Sequence, residues 1–447
     1  MHDAETRALQ RAAALGDSIA KMKFDLQMGR VRDEQEIALD ILRSGVSCFL
    51  TGAAGTGKTH VVRNFLRDAD PLTTAITAST GVAAIALGGL TVHRHFGLKL
   101  GRTEPATYER DESWMRFRAY ELRNTRTLVI DEISLLDGDT LDLLDGLLRL
   151  VRGEEKPFGG VQVVFVGDFG QLPPVERRDE GKKNFAFEAK AWQALNPKII
   201  ELRRPRRQED LAFLELLGRL RMGELSAADR RLLATRIAKD PTKIPSDSVW
   251  IAPRRATVER INLERLNALP GPRRYLEAEE SGPALLRQDL DKGCLAPRRL
   301  FLKPGARIMC VRNDSEQRYA NGTTGEVLAI GREHEQPFAD VALDNALVQP
   351  VRLGMEAFTY GQRADPNRIA TRRQIPVMLA WALTAHKTQG KTIPKVTVDL
   401  EALFSPGLAY VALSRVHALE DLTIVSRLPK AGAIMAHEKF IRFTQET

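Results

Sequence analysis

Residues 51–59 read Thr51-Gly52-Ala53-Ala54-Gly55-Thr56-Gly57-Lys58-Thr59, with the apolar run Ser47-Cys48-Phe49-Leu50 before them and the helix-compatible run His60 to Arg67 after them. The order is strand, glycine loop, helix start. Gly52, Gly55 and Gly57 permit left-handed backbone angles, which let main-chain N–H groups close around phosphate oxygens at a helix N-terminus. Lys58 is placed to reach the β- and γ-phosphates of a nucleoside triphosphate, and the Thr59 hydroxyl to coordinate Mg2+, the mechanical content of G-x-x-x-x-G-K-[ST]. A plain glycine turn would have no need of a strand on one side and a helix on the other.

A phosphate loop of this kind calls for a second nucleotide element, and Leu128-Val129-Ile130-Asp131-Glu132 supplies it as an apolar strand ending in two carboxylates. Asp131 suits the metal. Glu132 is then free to orient and deprotonate the attacking water. The next strand ends in GDFGQLPPV, residues 167–175, where Gln171 stands on a turn stiffened by Pro173 and Pro174 and suited to touch the γ-phosphate.

The chain has 447 residues, more than one compact core holds, so two main domains are expected. Lys and Arg number 66 against 58 Asp and Glu, a net +8 that leans toward a polyanionic partner. Cys48, Cys294 and Cys310 lie far apart without C-x-x-C spacing, which argues against a zinc site or a disulfide framework and for buried thiols in a reducing compartment. No apolar run approaches membrane-spanning length, and no signal-like block follows the N-terminus, so the chain reads as soluble and cytoplasmic.

Further apolar or β-branched runs, each followed by a loop, occur at Thr74 to Ala78, Val161 to Val166, Val249 to Ala252, Val377 to Trp381 and Val396 to Val398. Helical stretches separate several of them, as a mostly parallel α/β sheet requires. In Asp139 to Val151, Leu144, Leu147, Leu148 and Val151 recur at helical spacing and read as core. Gln35 is the one unusual polar candidate in the amphipathic segment before the phosphate-loop strand. Two stretches break the rhythm. Residues 97–126 mix basic side chains with Tyr108, Trp114, Phe117 and Tyr120, and residues from about 323 to 376 alternate Gly, Pro, Val and charge like a small β-barrel.

With these motifs in order, the chain resembles the petite-integration-frequency (Pif) family of DNA helicases, a RecD-like branch of superfamily 1B. The resemblance spans about residues 31–426. It is carried by DEQEIALD (33–40), GAAGTGKT (52–59), TASTGVAAIALGGLTVH (77–93), VIDEISLLDGD (129–139) and PFGGVQVVFVGDFGQLPPV (157–175), then by RRQED (206–210), NGTTGEV (321–327), RQIPVMLAWALTAHKTQGKT (373–392) and YVALSRVHALEDL (410–422).

What the resemblance implies is specific. Gln35 looks like the adenine-reading glutamine, Arg207 and Arg415 like two arginines that reach the γ-phosphate from the second motor domain, and Gly390 like a further nucleotide contact. Thr77, Ser79, Thr80, Thr91 and His93 match one strand-binding segment; Thr384, His386, Lys387, Thr388 and Gln389 match another. Short hydroxyl and amide donors suit a track that holds phosphates without reading bases. Two departures stand out: Arg94 replaces a small hydroxyl residue, and Gly170 replaces a bulkier apolar one.

The implied architecture is an N-terminal lead-in (1–30), two RecA-like domains at 31–200 and 201–430 with ATP in the cleft between them, and a C-terminal tail (431–447). Residues 97–126 would be a wedge, with Trp114 stacking on a base while Arg116 and Arg118 hold phosphates. The second insertion would be a Src-homology-3-like barrel. The implied function is an ATP- and Mg2+-dependent 5′-to-3′ helicase acting as a monomer on single strands and junctions, G-quadruplexes and RNA–DNA hybrids being further candidate substrates. An RNA motor, or an ATP-gated strand clamp within a repair complex, is the alternative.

Overall fold

Helix α1, Glu34–Arg43, starts where Asp33 accepts the Gln35 backbone N–H at 3.1 Å, and Glu34 and Glu36 in its first turn complement the helix dipole. The computed structural model describes residues 33–446 apart from 81–82, 85–86, 99–103, 175–183, 205–209, 241–243, 245–247, 253, 313, 315, 317, 320–322, 345–349, 362–368, 390–392, 401–404 and 430–434. The N-terminal lead-in, Arg207 and Gly390 lie outside the described residues.

By internal packing the chain divides into two compact units: Met1–Ala75, His95–Asp168 and Glu176–Arg207 form the first, and Ile76–Arg94, Phe169–Val175 and Gln208–Thr447 the second. The expected contiguous halves give way to this interleaving. For Phe169–Val175 the reason is visible, because Phe169 and Gly170 pack on the C-terminal helix.

The first sheet contains β1 (Cys48–Gly52), β2 (Thr74–Ala78), β3 (Leu90–Thr91), β4 (Thr127–Asp131), β5 (Gln162–Val166) and β6 (Lys198–Leu202) in the order β3-β2-β4-β5-β1-β6. The registered pairs β1–β5, β1–β6, β2–β3 and β4–β5 are all parallel. β1 is buried along its whole length, as its run of Cys, Phe and Leu demands of a central strand. Helix α2 (Lys58–Asp68) follows the phosphate loop, α3 (Pro105–Glu109) and α4 (Glu112–Asn124) precede β4, and α5 (Gly138–Arg152) follows it. Asp137 caps α5 by accepting the Thr140 N–H at 2.8 Å, Leu141, Leu144, Leu147, Leu148 and Val151 are buried, and left-handed Gly153 ends the helix. This arrangement aligns the C-terminal ends of β1 and β4, where parallel sheets bind ligands.

A second parallel sheet is built from β7 (Val249–Ala252), β8 (Ala382–Thr384), β9 (Val396–Val398) and β10 (Leu422–Ile424) in the order β8-β7-β9-β10. Between β7 and β8 the chain forms antiparallel sheets over a longer span than residues 323–376. Strands Arg274–Glu277 and Arg299–Leu302 pair with each other, and Glu279–Ser281 joins Ile369–Gln374 and Glu356–Gly361. A five-stranded sheet orders Val351–Leu353, Gln336–Leu343, Thr324–Glu333, Arg307–Cys310 and Val377–Leu379. The run Val377 to Trp381, read as a parallel strand, is thus divided: Val377 pairs antiparallel with Cys310, and the parallel strand begins at Ala382. Among the described residues no helix is long and apolar enough to cross a membrane.

Candidate active site

In the first unit the phosphate loop leaves β1 at Gly52, whose hypothetical Cβ would meet the Leu202 carbonyl oxygen of β6 at 2.3 Å. The close approach of two backbones fixes glycine there. Lys58 folds over the loop and donates from Nζ to the carbonyls of Gly52 at 2.7 Å and Ala53 at 3.1 Å. The Thr56 hydroxyl donates to the Ala53 carbonyl at 2.9 Å, and left-handed Gly55 (φ 85°) and Gly57 (φ 93°) complete the turn. Thr59 is exposed on the first turn of α2, and Ala54, within the loop, is buried. Gln35 reaches across from α1 to donate from Nε2 to the Thr56 carbonyl at 3.0 Å, so the proposed adenine reader is already seated on the loop.

β4 ends at Asp131, which is 9% exposed, with Glu132 next to it in a left-handed conformation (φ 53°) and only half-buried. Such a backbone costs on the order of 1 kcal/mol at a non-glycine residue. Its N–H donates to Asp131 Oδ1 at 2.8 Å. Burial above all, then the neighbouring Glu132 charge, raises the Asp131 carboxyl well above the usual carboxylate range, with Lys58 and Arg63 pulling the other way. A buried carboxylate beside a second acid is a site that a cation would stabilise. Arg63, five residues after Lys58 on α2, was missed in the sequence because a helical arginine carries no motif.

The second unit gathers Thr77, Ser79, Thr80, Thr91, His93, Gln171, Thr384, Lys387, Thr388, Gln389 and Arg415. They are not equally available. Thr77 and Thr388 are fully buried, and the Thr388 hydroxyl donates to the Ala385 carbonyl at 2.8 Å, so these two serve packing and a local cap rather than presenting free donors. Gln389 is 7% exposed. Ser79, Thr80, Thr91 and Thr384 are half-buried, and His93 is exposed. Of His386 only its place in the short helix Ala385–Thr388 is described. Lys387 is half-buried with Nζ against Met378 Sδ at 3.7 Å, and burial lowers its pKa. Arg415 is 1% exposed, its guanidinium donating to the carbonyls of Val411 at 2.7 Å and Thr388 at 3.1 Å and to the Ser414 hydroxyl at 2.8 Å. To meet a phosphate it must exchange some of these partners.

In the stretch 97–126 the aromatic residues divide between core and surface. Trp114 is 1% exposed; its indole donates to the Phe96 carbonyl at 2.7 Å and packs edge-on against Tyr108. It anchors α4 and presents no face to a base. Phe117 and Tyr120, three residues apart on the helix, are instead 53% and 69% exposed. Arg116 is exposed with its guanidinium over the Phe117 ring, whereas Arg118 is half-buried and paired with Glu121 at 2.6 Å.

A family model described as PIF1-like helicase matches residues 31–231. The ATP-dependent DNA helicase Pif1 of Bdellovibrio bacteriovorus is 34% identical over 436 residues, covering 97% of this chain and 96% of the relative. The chain belongs to the PIF1-like helicase family. It is also 36% identical to human ATP-dependent DNA helicase PIF1 over 90% of its own length, and there spans 62% of the longer relative. Among solved structures, Pif1 helicase from Candida albicans superposes with a TM-score of 0.81 at 33% identity, covering 93% of this chain and 99% of that one. Pif1 from Bacteroides in complex with ADP-AlF3 and ssDNA follows with a TM-score of 0.72 at 29% identity, covering 93% and 96%. The parallel-sheet α/β core of this PIF1-like helicase is therefore one that solved Pif1 structures share.

Proposed function

We infer that this PIF1-like helicase is an ATP-dependent DNA helicase, and that it moves 5′ to 3′ along single strands. The observation that carries the reading is the pairing, in one unit, of a glycine loop whose lysine already turns inward with a buried Asp131 beside the half-buried Glu132. These residues fit ATP and Mg2+. Lys58 would trade the Gly52 and Ala53 carbonyls for phosphate oxygens, and Gln35 would read the base. Thr59 and Asp131 would hold Mg2+, which among the described residues has no ready-made cage of three or more His, Cys, Asp or Glu and so relies on nucleotide oxygens as well. Bound MgATP supplies a hydrolysable γ-phosphate. Glu132 accepts the proton of the attacking water; Gln171, Arg207 and Arg415 would stabilise charge on the transferring phosphoryl.

DNA is favoured over RNA as the track because the Bacteroides relative is described with ssDNA bound. Ser79, Thr80, Thr91, His93, Thr384, Lys387 and Gln389 would hold its phosphates. Helices α3 and α4 would act as the wedge, with Phe117, Tyr120 and Arg116 facing the junction in place of Trp114. The antiparallel strands between β7 and β8 would form the Src-homology-3-like barrel. We further propose action as a monomer in the cytoplasm, on junctions and on structured substrates such as G-quadruplexes and RNA–DNA hybrids. The test is ATP hydrolysis with and without single-stranded DNA: strong stimulation that vanishes in Lys58→Ala supports the reading, and a strand-independent rate contradicts it.

A further inference from the structure

The C-terminal residues read as a tail in the sequence, yet Glu438–Glu446 is a helix, labelled α10 here with Lys190–Leu195, Leu211–Arg221, Arg255–Ala268 and Leu408–Leu413 as α6 to α9 and the remaining helices left unlabelled. Its Phe440 is 1% exposed. What buries it is the loop that carries Gln171. A Cβ on Gly170 would stand 2.9 Å from Phe440 Cζ and 2.6 Å from Arg221 Cγ, so the ring occupies the volume that a larger residue at 170 would need. Phe443 meets Phe169 edge-on with ring centroids 5.6 Å apart, and the Arg221 guanidinium lies over the Phe440 ring at 5.2 Å. The loop is also pressed by Gly407, whose hypothetical Cβ would be 2.2 Å from the Gln171 carbonyl oxygen. The Gly407 N–H in turn donates to the Met435 carbonyl at 3.0 Å, just before α10.

The three consecutive residues Phe169, Gly170 and Gln171 are thus gripped by one helix, one arginine and one glycine, all within the second unit. The departure at Gly170 now has a physical counterpart: the apolar bulk missing from the loop is delivered by Phe440. We propose that α10 is a positioning element for Gln171, setting the loop through Phe440 and Phe443 so that strand binding is converted into ATP turnover. Phe440 touches no reacting atom; it acts through the backbone of residues 169–171. A loop held by several packed neighbours keeps its glutamine in one geometry, and a misplacement of about 1 Å costs on the order of a hundredfold in rate. The proposal rests on the reading of Gln171 as a γ-phosphate contact.

The experiment compares Phe440→Ala, Phe443→Ala, Phe440→Leu and Gln171→Ala in the full chain. Four quantities are measured on each: kcat with saturating single-stranded DNA, KM for ATP, affinity for a labelled oligonucleotide, and melting temperature. The expected result is a fall in DNA-stimulated kcat of about tenfold or more for Phe440→Ala and a smaller fall for Phe443→Ala, with KM and strand affinity within about twofold of wild type. Phe440→Leu, which keeps apolar bulk, should retain most of the rate. If Gln171→Ala lowers kcat while Phe440→Ala leaves it unchanged, the positioning role is overturned and the Gln171 reading stands. If Gln171→Ala is itself silent, both fall. A Phe440→Ala variant that loses strand affinity, KM and melting temperature together with kcat would mark α10 as general support and overturn the proposal.

Discussion

Gln35 and Gly57 are matched to each other: the Gln35 amide nitrogen sits where a side chain on Gly57 would begin, 2.2 Å from its hypothetical Cβ, while it donates to the carbonyl of Thr56. Gly57 also holds a left-handed φ of 93° as the N-cap of α2. Gly57→Ala therefore meets both a backbone penalty of about 1 kcal/mol and displacement of the adenine reader. Affinity for a fluorescent ATP analogue should fall about tenfold or more, a difference of about 1.4 kcal/mol. Wild-type affinity in this variant would remove Gln35 from the pocket.

Glu132→Gln should bind nucleotide and strand normally yet lose hydrolysis, because the phosphate loop and Asp131 are untouched while the proton acceptor is gone. Single-turnover hydrolysis alongside analogue binding separates the two. Substantial turnover in Glu132→Gln would assign the base elsewhere.

Asp131 gives a pH-dependent expectation. Its folded carboxyl is raised above the ordinary aspartate value of 3.8, chiefly by burial. The folded state then holds the proton more tightly than the unfolded chain, so without metal this group costs stability as pH rises from 3.8 through the raised value. Mg2+ requires the ionised form, so stabilisation by MgADP should grow over the same rise in pH. Asp131→Asn removes the buried charge: at pH 8 without metal it should melt no lower than wild type while losing hydrolysis. A large drop in its melting temperature would show that the carboxylate is a structural partner instead.

Trp114 and Tyr120 should separate cleanly. Trp114→Ala empties a buried site and strands the Phe96 carbonyl, for a loss of about 3–5 kcal/mol in denaturant unfolding. Tyr120→Ala, on an exposed ring, should change stability by less than about 0.5 kcal/mol. Combined Phe117→Ala and Tyr120→Ala should lower duplex unwinding while leaving strand-stimulated hydrolysis intact. Intact unwinding in that pair would end the case for this helix as the separating element.

The phosphate loop and the carboxylate-ended strand are legible in the sequence because their logic is local: Gly52 to Thr59 and Leu128 to Glu132 are contiguous, and strand-to-loop order dictates where they lie. Packing decided the rest. Trp114 shares the inward side of α4 with Ala119 and Leu122, a pattern in the sequence that its basic neighbours obscured. Val377 belongs to an antiparallel sheet because its partner is Cys310, and an apolar run alone carries no strand direction. Thr388 and Arg415 carry the right chemistry for a ligand, yet their burial and local partners emerge only from the fold. Phe440 filling the space above Gly170 joins residues 270 positions apart, beyond the reach of any periodicity.

As a motor, the protein should couple ATP turnover to strand separation on DNA with a defined direction. The most direct measurement is strand displacement on paired duplexes that differ only in carrying a 5′ or a 3′ single-stranded tail, in DNA and in RNA, with Glu132→Gln as the control. The expected result is ATP-dependent displacement of the 5′-tailed DNA duplex, little from the 3′-tailed one, less on RNA, and none with Glu132→Gln. Tail-bound protein that hydrolyses ATP without displacing either DNA duplex would contradict the account and leave an ATP-gated clamp in its place.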